Sequence, residues 1–285
     1  MADATITDVA ASQAEAGPVV SARRVPSLRP GQGRKLLLPA LVLVVFLAVW
    51  EYVTAAGMIS RLILASPTAI AAAYFSSGGE IAWNAGVTLS EALTGFAIGN
   101  TVGLLVAILF IHSDLARRTV FPIAIGAEAI PIVAVVPVLI LWLGNGMAPK
   151  MFITSFLTFF PMLINALRGL RSADTEVNEL LYTLSATPMQ RLFMVRLPAS
   201  VPFLFNALKL SAVACVVAAI VGEWLAAEAG LGHLIVLYGQ MYKVPEIWGT
   251  ALVCTAMSLG VYGLTVIAEW AATPWLRRRK APNSI

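Results

Sequence analysis

The chain has 285 residues, of which 59% are apolar and only 12% charged, and its formal net charge is +4. A soluble domain carries about 25% charged and about 45–50% apolar residues, so 19 basic and 15 acidic side chains cannot clothe a water-facing surface of this size. The balance excludes an ordinary cytosolic enzyme, a disordered chain and a disulfide scaffold. The two cysteines, Cys215 and Cys254, fall inside apolar runs, as buried small residues do.

Residues 1–35 are polar and rich in Ala, Ser and Thr, and are expected to form a disordered cytoplasmic tail. Crossing a bilayer as a helix takes about 20 apolar residues, and six stretches qualify. The first, Leu36 to Ala56, lies in an anchor helix placed at 36–57. Arg23-Arg24 ahead of it resembles a twin-arginine export signal, but the run is too long for a signal core and five more spans follow. The others cover Ala85–Ile111, Thr119–Leu143, Lys150–Leu167, Ala199–Ala226 and Ile247–Trp275, within a core placed at 62–275. Residues 276–285 form a basic tail. No run alternates as a barrel strand would. The expected fold is all-α: a polytopic membrane bundle of six transmembrane helices.

The basic residues orient it. With the N-terminus inside, fifteen Lys and Arg fall in inner segments, among them Arg117, Arg118, Arg168, Arg171, Arg191, Arg196 and the terminal Arg277 to Lys280. Only Arg61, Lys150 and Lys243 fall outside, and Lys209 lies near the inner end of the fifth span. Positive loops stay cytoplasmic, so both termini should be cytoplasmic. The net charge then reports topology rather than binding to nucleic acid.

Gly95, Gly99 and Gly103 repeat every four residues in the second span and should let another helix approach closely. The third span holds Pro122, Pro131 and Pro137, each lacking a backbone donor, which points to a bent or pathway-lining helix. Glu91, Glu128 and Glu223 lie within spans, with Lys209 the candidate counter-charge. Intramembrane carboxylates are costly and mark function by default. Glu128, three residues before Pro131, is the strongest case, whereas Glu91 and Glu223 lie towards outer ends with easier access to water. Glu51 and Glu269, each beside a tryptophan, read as interfacial anchors.

Between the fourth and fifth spans lies a cytoplasmic loop, 168–198. Asp174 can cap a helix whose Val177, Leu180, Leu181 and Leu184 share one face. Thr187 and Pro188 restart a second helix, with Phe193 and Val195 facing inward. An apolar helix–turn–helix held outside the bilayer wants a protein partner.

The loop resembles that of permease subunits of ATP-binding-cassette importers, which reads Glu-Ala-Ala, three residues, Gly, nine residues, an aliphatic residue, one residue, Leu-Pro. Here the places are filled by Glu179-Leu180-Leu181, Ser185, Val195 and Leu197-Pro198. Ser185 for glycine and leucines for both alanines are the departures. Ala65-Ser66-Pro67, Gly95-Phe96, Ile130-Pro131, Leu141-Trp142-Leu143-Gly144, Phe159-Phe160-Pro161, Gly222-Glu223-Trp224 and Gly230-Leu231-Gly232 look like the nitrate/sulfonate/taurine-type branch. Gly222-Glu223-Trp224 looks more like its thiamine-pyrimidine and riboflavin members, and Glu91 stands where similar permeases commonly have a basic residue.

The resemblance implies a type I importer permease fold and a non-enzymatic transport subunit in a bacterial inner membrane. It also implies a cytoplasmic ATPase dimer, which binds the ATP and Mg; this chain needs no cofactor. A second permease copy and an extracytoplasmic solute-binding protein complete the machine. The ATPase-coupling role passes to Glu179, Leu180, Leu181, Leu184, Ser185, Pro188, Val195, Leu197 and Pro198. Glu91, Glu128, Pro131, Glu223 and Trp224 are the candidate pathway residues. Three intramembrane carboxylates against one lysine favour a neutral or weakly basic nitrogen-containing solute over nitrate or a sulfonate. No Walker loop, metal-ligand spacing or hydrolase motif is present. A proton-coupled secondary transporter is the rival class.

Overall fold

The computed structural model describes residues 32–274 apart from 227, without the side chains of 32–36, 178 and 226. The predicted tails, with Arg23, Arg24 and Arg277 to Lys280, and the end of the last span at Trp275 lie outside the described residues, except for 32–35, which open a helix instead of belonging to the expected disordered tail. Helices carry the fold, and no strand occurs among the described residues.

Helix α1 spans Gln32–Ala55, and the chain divides into compact units at Val49–Trp50. In the first unit every described side chain from Leu37 to Val49 is exposed, an apolar surface suited to lipid. In the second, α1 ends where Gly57 takes φ +70°. Trp50 donates its indole N–H to the Ala65 carbonyl at 3.1 Å. Glu51 accepts from the Thr68 amide (3.1 Å) and hydroxyl (2.8 Å). Glu51 is therefore a clamp on the start of the next helix rather than a free interfacial anchor.

That helix, α2, runs unbroken over Pro67–His112, far beyond the predicted Ala85–Ile111. Ser66 caps it by accepting from the Ala69 amide at 3.2 Å, and Pro67 occupies the first turn, where no donor is missed. Its buried residues, including Asn84, Thr88, Glu91, Gly95, Gly99, Gly103 and Ala107, recur every three or four positions and form one stripe. The three glycines meet α5, Met147–Arg171. A Cβ on Gly95 would strike Thr154, one on Gly99 would strike Thr158 and the Ser155 backbone, and one on Gly103 would come within 2.8 Å of the Phe159 carbonyl. The two backbones are in near contact, and only glycine permits it.

The predicted third span is two helices, α3 (Asp114–Glu128) and α4 (Ile132–Leu143), bent by 100°. Pro131 sits at the break. It has no amide to continue the ladder, and Ala129 and Ile130 close only short turns onto Gly126 and Ala127. Pro122 and Pro137 lie inside α3 and α4 and interrupt neither, so a single proline makes the bend. Among the described residues, five helices are long and apolar enough to cross a membrane, or six if the bent pair counts as one span.

After α5 come α6 (Thr175–Thr183), α7 (Pro188–Arg191), a wider π-type turn over Leu192–Arg196, and α8 (Leu197–Ala226). Short α9 (Leu231–Gln240) and long α10 (Val244–Ala272) follow. The main core packs Ala92 of α2 against Cys215, Val216 and Ala219 of α8, Leu231 and Leu234 of α9, and Cys254 of α10. Both cysteines are buried and free. On the outward side of α10, Leu252, Leu259, Leu264 and Ile267 stay exposed.

Candidate functional site: a coupling loop and a buried polar network

The loop between α5 and α8 is built from caps. Asp174 accepts from the Glu176 amide at 3.0 Å and starts α6. At the other end the Ser185 amide donates to the Tyr182 carbonyl (3.0 Å) and the Ala186 amide to the Leu181 carbonyl (2.9 Å). That pattern is a Schellman closure, which places the residue after the cap in the left-handed region. Ser185 is that residue, at φ +58°. The glycine of the family pattern falls where L side chains cost most, and serine takes the strain in its place. Thr187 then caps α7 reciprocally, accepting from the Gln190 amide (3.2 Å) while Gln190 accepts from the Thr187 amide (2.8 Å). Pro188 occupies the first helical position.

The face of α6 is uncovered: Val177, Leu180 and Leu184 are exposed, and Leu181 is half-buried. Glu179 and Pro198 are exposed as well, while Val195 and Leu197 are half-buried. The inward assignment of Phe193 fails. The π-type turn rotates the register, so Leu192 enters the core at 2% exposure and Phe193 points out at 61%.

The intramembrane carboxylates divide. Glu223, 1% exposed, accepts from the Thr88 hydroxyl at 2.7 Å and from the Gly232 amide at 2.6 Å. Thr88 in turn accepts from the Leu231 amide (2.8 Å), and Asn84 accepts from the Gly230 amide (2.7 Å). The first three amides of the 230–232 segment are thus held by side chains of α2 and α8. Gly230, at φ +113°, and Gly232 must lack a Cβ, because one would run into the Glu223 side chain. Glu91, 3% exposed, pairs with Lys150 in the first turn of α5 at 2.8 Å.

Several assignments therefore change. Glu91 and Glu223 have no ready access to water, and their partners were not foreseen. Lys150 is no outer-loop charge but the buried mate of Glu91. Lys209 is the counter-charge of Glu269 and not of Glu91, Glu128 or Glu223, and Glu269 is not an anchor alone. Glu128 is the last residue of α3 and is exposed, as are Pro131 at the bend and Trp224 on α8. The network brings Glu91 and Glu223 to one region and leaves Glu128 outside it. A signal for it was present: Asn84, Thr88 and Glu91 share one face of α2 by their spacing, and a buried carboxylate there requires donors. No group of His, Cys, Asp and Glu that could hold a metal occurs among the described residues.

Comparison with known proteins agrees with this architecture. The formylaminopyrimidine transport permease protein ThiX of Halalkalibacterium halodurans is 28% identical over 85% of this chain and 96% of its own. The riboflavin transport system permease protein RibX of Chloroflexus aurantiacus is 30% identical over 88% and 94%. A Bacillus subtilis protein named for aliphatic sulfonates transport, SsuC, is 26% identical over 85% and 89%. Residues 99–277, from the glycine stripe of α2 past the end of α10, match the family of binding-protein-dependent transport system inner membrane components, and the chain belongs to that family: it is a permease subunit of an ABC importer, a transport component and not an enzyme.

Proposed function

We propose that two copies of this chain form the pathway by which a small organic solute, handed over by an extracytoplasmic binding protein, enters the cell. An ATPase pair grips the 168–198 loop from the cytoplasm, where both termini also lie. The observation that carries this reading is the α6–α7 unit, whose two helices are capped while Val177, Leu180 and Leu184 are exposed. A capped helix with a bare apolar face suits a groove on a partner and can pass the ATPase's closure to α5 and α8 as a rigid push. The permease itself moves no bond; it alternates between inward- and outward-open arrangements.

Co-purification tests the dock. Glu179→Arg with Leu180→Asp should release the ATPase while the permease stays monodisperse in detergent. An ATPase that remains bound would sink this assignment, and transport that persists without any ATPase would favour a secondary carrier.

The solute we favour is neutral or weakly basic and contains nitrogen, in the manner of a pyrimidine vitamin precursor. The charge argument for it now rests on fewer groups. Lys150 neutralises Glu91, and Glu223 is consumed by donors of the chain, which leaves Glu128 as the exposed carboxylate at the α3–α4 bend. The names of the formylaminopyrimidine and riboflavin relatives support the same choice; the sulfonate relative keeps an anion as the alternative. Uptake of radiolabelled formylaminopyrimidine, weakened by Glu128→Gln, is the expected result. ATP-dependent sulfonate uptake that is indifferent to Glu128→Gln would overturn the choice.

A further inference from the structure

A cavity of about 330 Å³ opens where α2, α3, α5, α6 and the π-type turn come together. Phe110 and Leu170, both buried in the core, form its floor, and Arg171, Arg196 and Asp114 are on the lining. Neither Arg171 nor Arg196 makes an ion pair or side-chain hydrogen bond among the described residues. Arg196 is half-buried, and the charges of Arg191 and Arg171 reach it. Arg191 lies 5.6 Å from the centre of the Tyr182 ring, and its buried Nε has no acceptor.

The acids nearby are already engaged. Asp114 accepts from Arg117 at 3.1 Å, and Asp174 caps its own helix through the Glu176 amide. Glu176 follows in the first turn of α6 and keeps an exposed position. Arg171 and Arg196 both lack a carboxylate partner among the described residues, and their planar forks match the oxygens of a phosphate. The cavity also lies at the C-terminal ends of α2 and α5, two helices long and apolar enough to cross a bilayer, and basic residues flanking such helices attract anionic headgroups.

We propose that this cavity binds the phosphate of an anionic phospholipid headgroup, with Arg171 and Arg196 as its ligands. The site sits beside the coupling loop, so an occupied cavity would fix the angle between α5 and α6. It does not depend on which side of the membrane is cytoplasmic, because binding can be measured in nanodiscs with identical leaflets.

The probes are phosphatidylglycerol, phosphatidylcholine and inorganic phosphate, and the readout is lipid retained by the purified full chain, counted by native mass spectrometry. Phosphatidylglycerol should be retained at least tenfold over phosphatidylcholine. Arg171→Gln with Arg196→Gln should abolish that preference, while Arg118→Gln, an exposed arginine on the neighbouring α3, should leave it intact. Millimolar inorganic phosphate should fail to displace the lipid; displacement would move the site to a free anion and overturn the lipid assignment. Equal retention of both lipids, or an equal loss in the Arg118 variant, would reduce the effect to general surface charge and defeat the proposal. So would a double variant that keeps its lipid but releases the ATPase, since the arginines would then belong to the protein dock. Thermal unfolding of each variant in detergent separates loss of the site from loss of the fold.

Discussion

Glu223 and Glu91 look alike in sequence and are held in opposite ways. Glu223 has donors from α2 and from the 230–232 backbone on its two oxygens, so its carboxyl is held by dipoles of the chain. Glu91 has a single formal partner, Lys150, and its Oε2 is left without one, as is the nearby Thr154 hydroxyl. Removing one member of a buried ion pair strands the other at a cost of about 3–5 kcal/mol, whereas replacing both with apolar residues of similar size is often neutral. Glu91→Gln should therefore lower the thermal midpoint in detergent by many degrees, and Glu91→Met with Lys150→Met should restore most of it. If Glu91→Gln left the midpoint unchanged while abolishing uptake, the pair would be part of the solute pathway and not of the scaffold.

At the scale of elements, the loop shows what a sequence pattern encodes and where it stops. Its caps were legible, because Asp174, Thr187 and Pro188 are local chemistry: each satisfies or avoids a backbone donor within three residues. The π-type turn was not, because it depends on how α7 is drawn onto the core through Leu192, a long-range constraint. The same limit explains α3 and α4. Three prolines announced a disturbance, but only packing decides that Pro131 breaks the helix while Pro122 and Pro137 ride inside. Ser185 offers a direct test. Its φ of +58° costs an L residue about 1 kcal/mol or more over glycine, so Ser185→Gly should stabilise the α6–α7 turn. Amide exchange at Ala186 should slow by about fivefold, which is the factor for 1 kcal/mol. Faster exchange would mean that the serine side chain contributes something the backbone geometry does not reveal.

For the whole molecule, composition and charge placement foretold a membrane bundle, and the long helices agree. Ion pairs between helices were illegible, because Lys150 and Glu91 are 59 residues apart and nothing local links them. Orientation is open to a simple check, since both native cysteines are buried and should stay silent to a membrane-impermeant maleimide. In intact cells Met241→Cys should label and Arg118→Cys should not; in inverted vesicles the order should reverse. Labelling of Arg118→Cys from outside would invert the proposed topology.

The unbroken run of α2 has one more implication. Forty-six residues at about 1.5 Å each make a rod of about 69 Å, more than twice the roughly 30 Å hydrocarbon core. One end is fastened by Glu51 and the Ser66 cap, the middle is clasped to α5 by glycine contacts, and the far end walls the arginine cavity. A member so long magnifies rotation: a pivot of about 5° at Gly99 displaces the Pro67 end, about 48 Å away, by about 4 Å. The permease would then need only slight rocking at the glycine fulcrum to carry a sizeable stroke from one membrane face to the other.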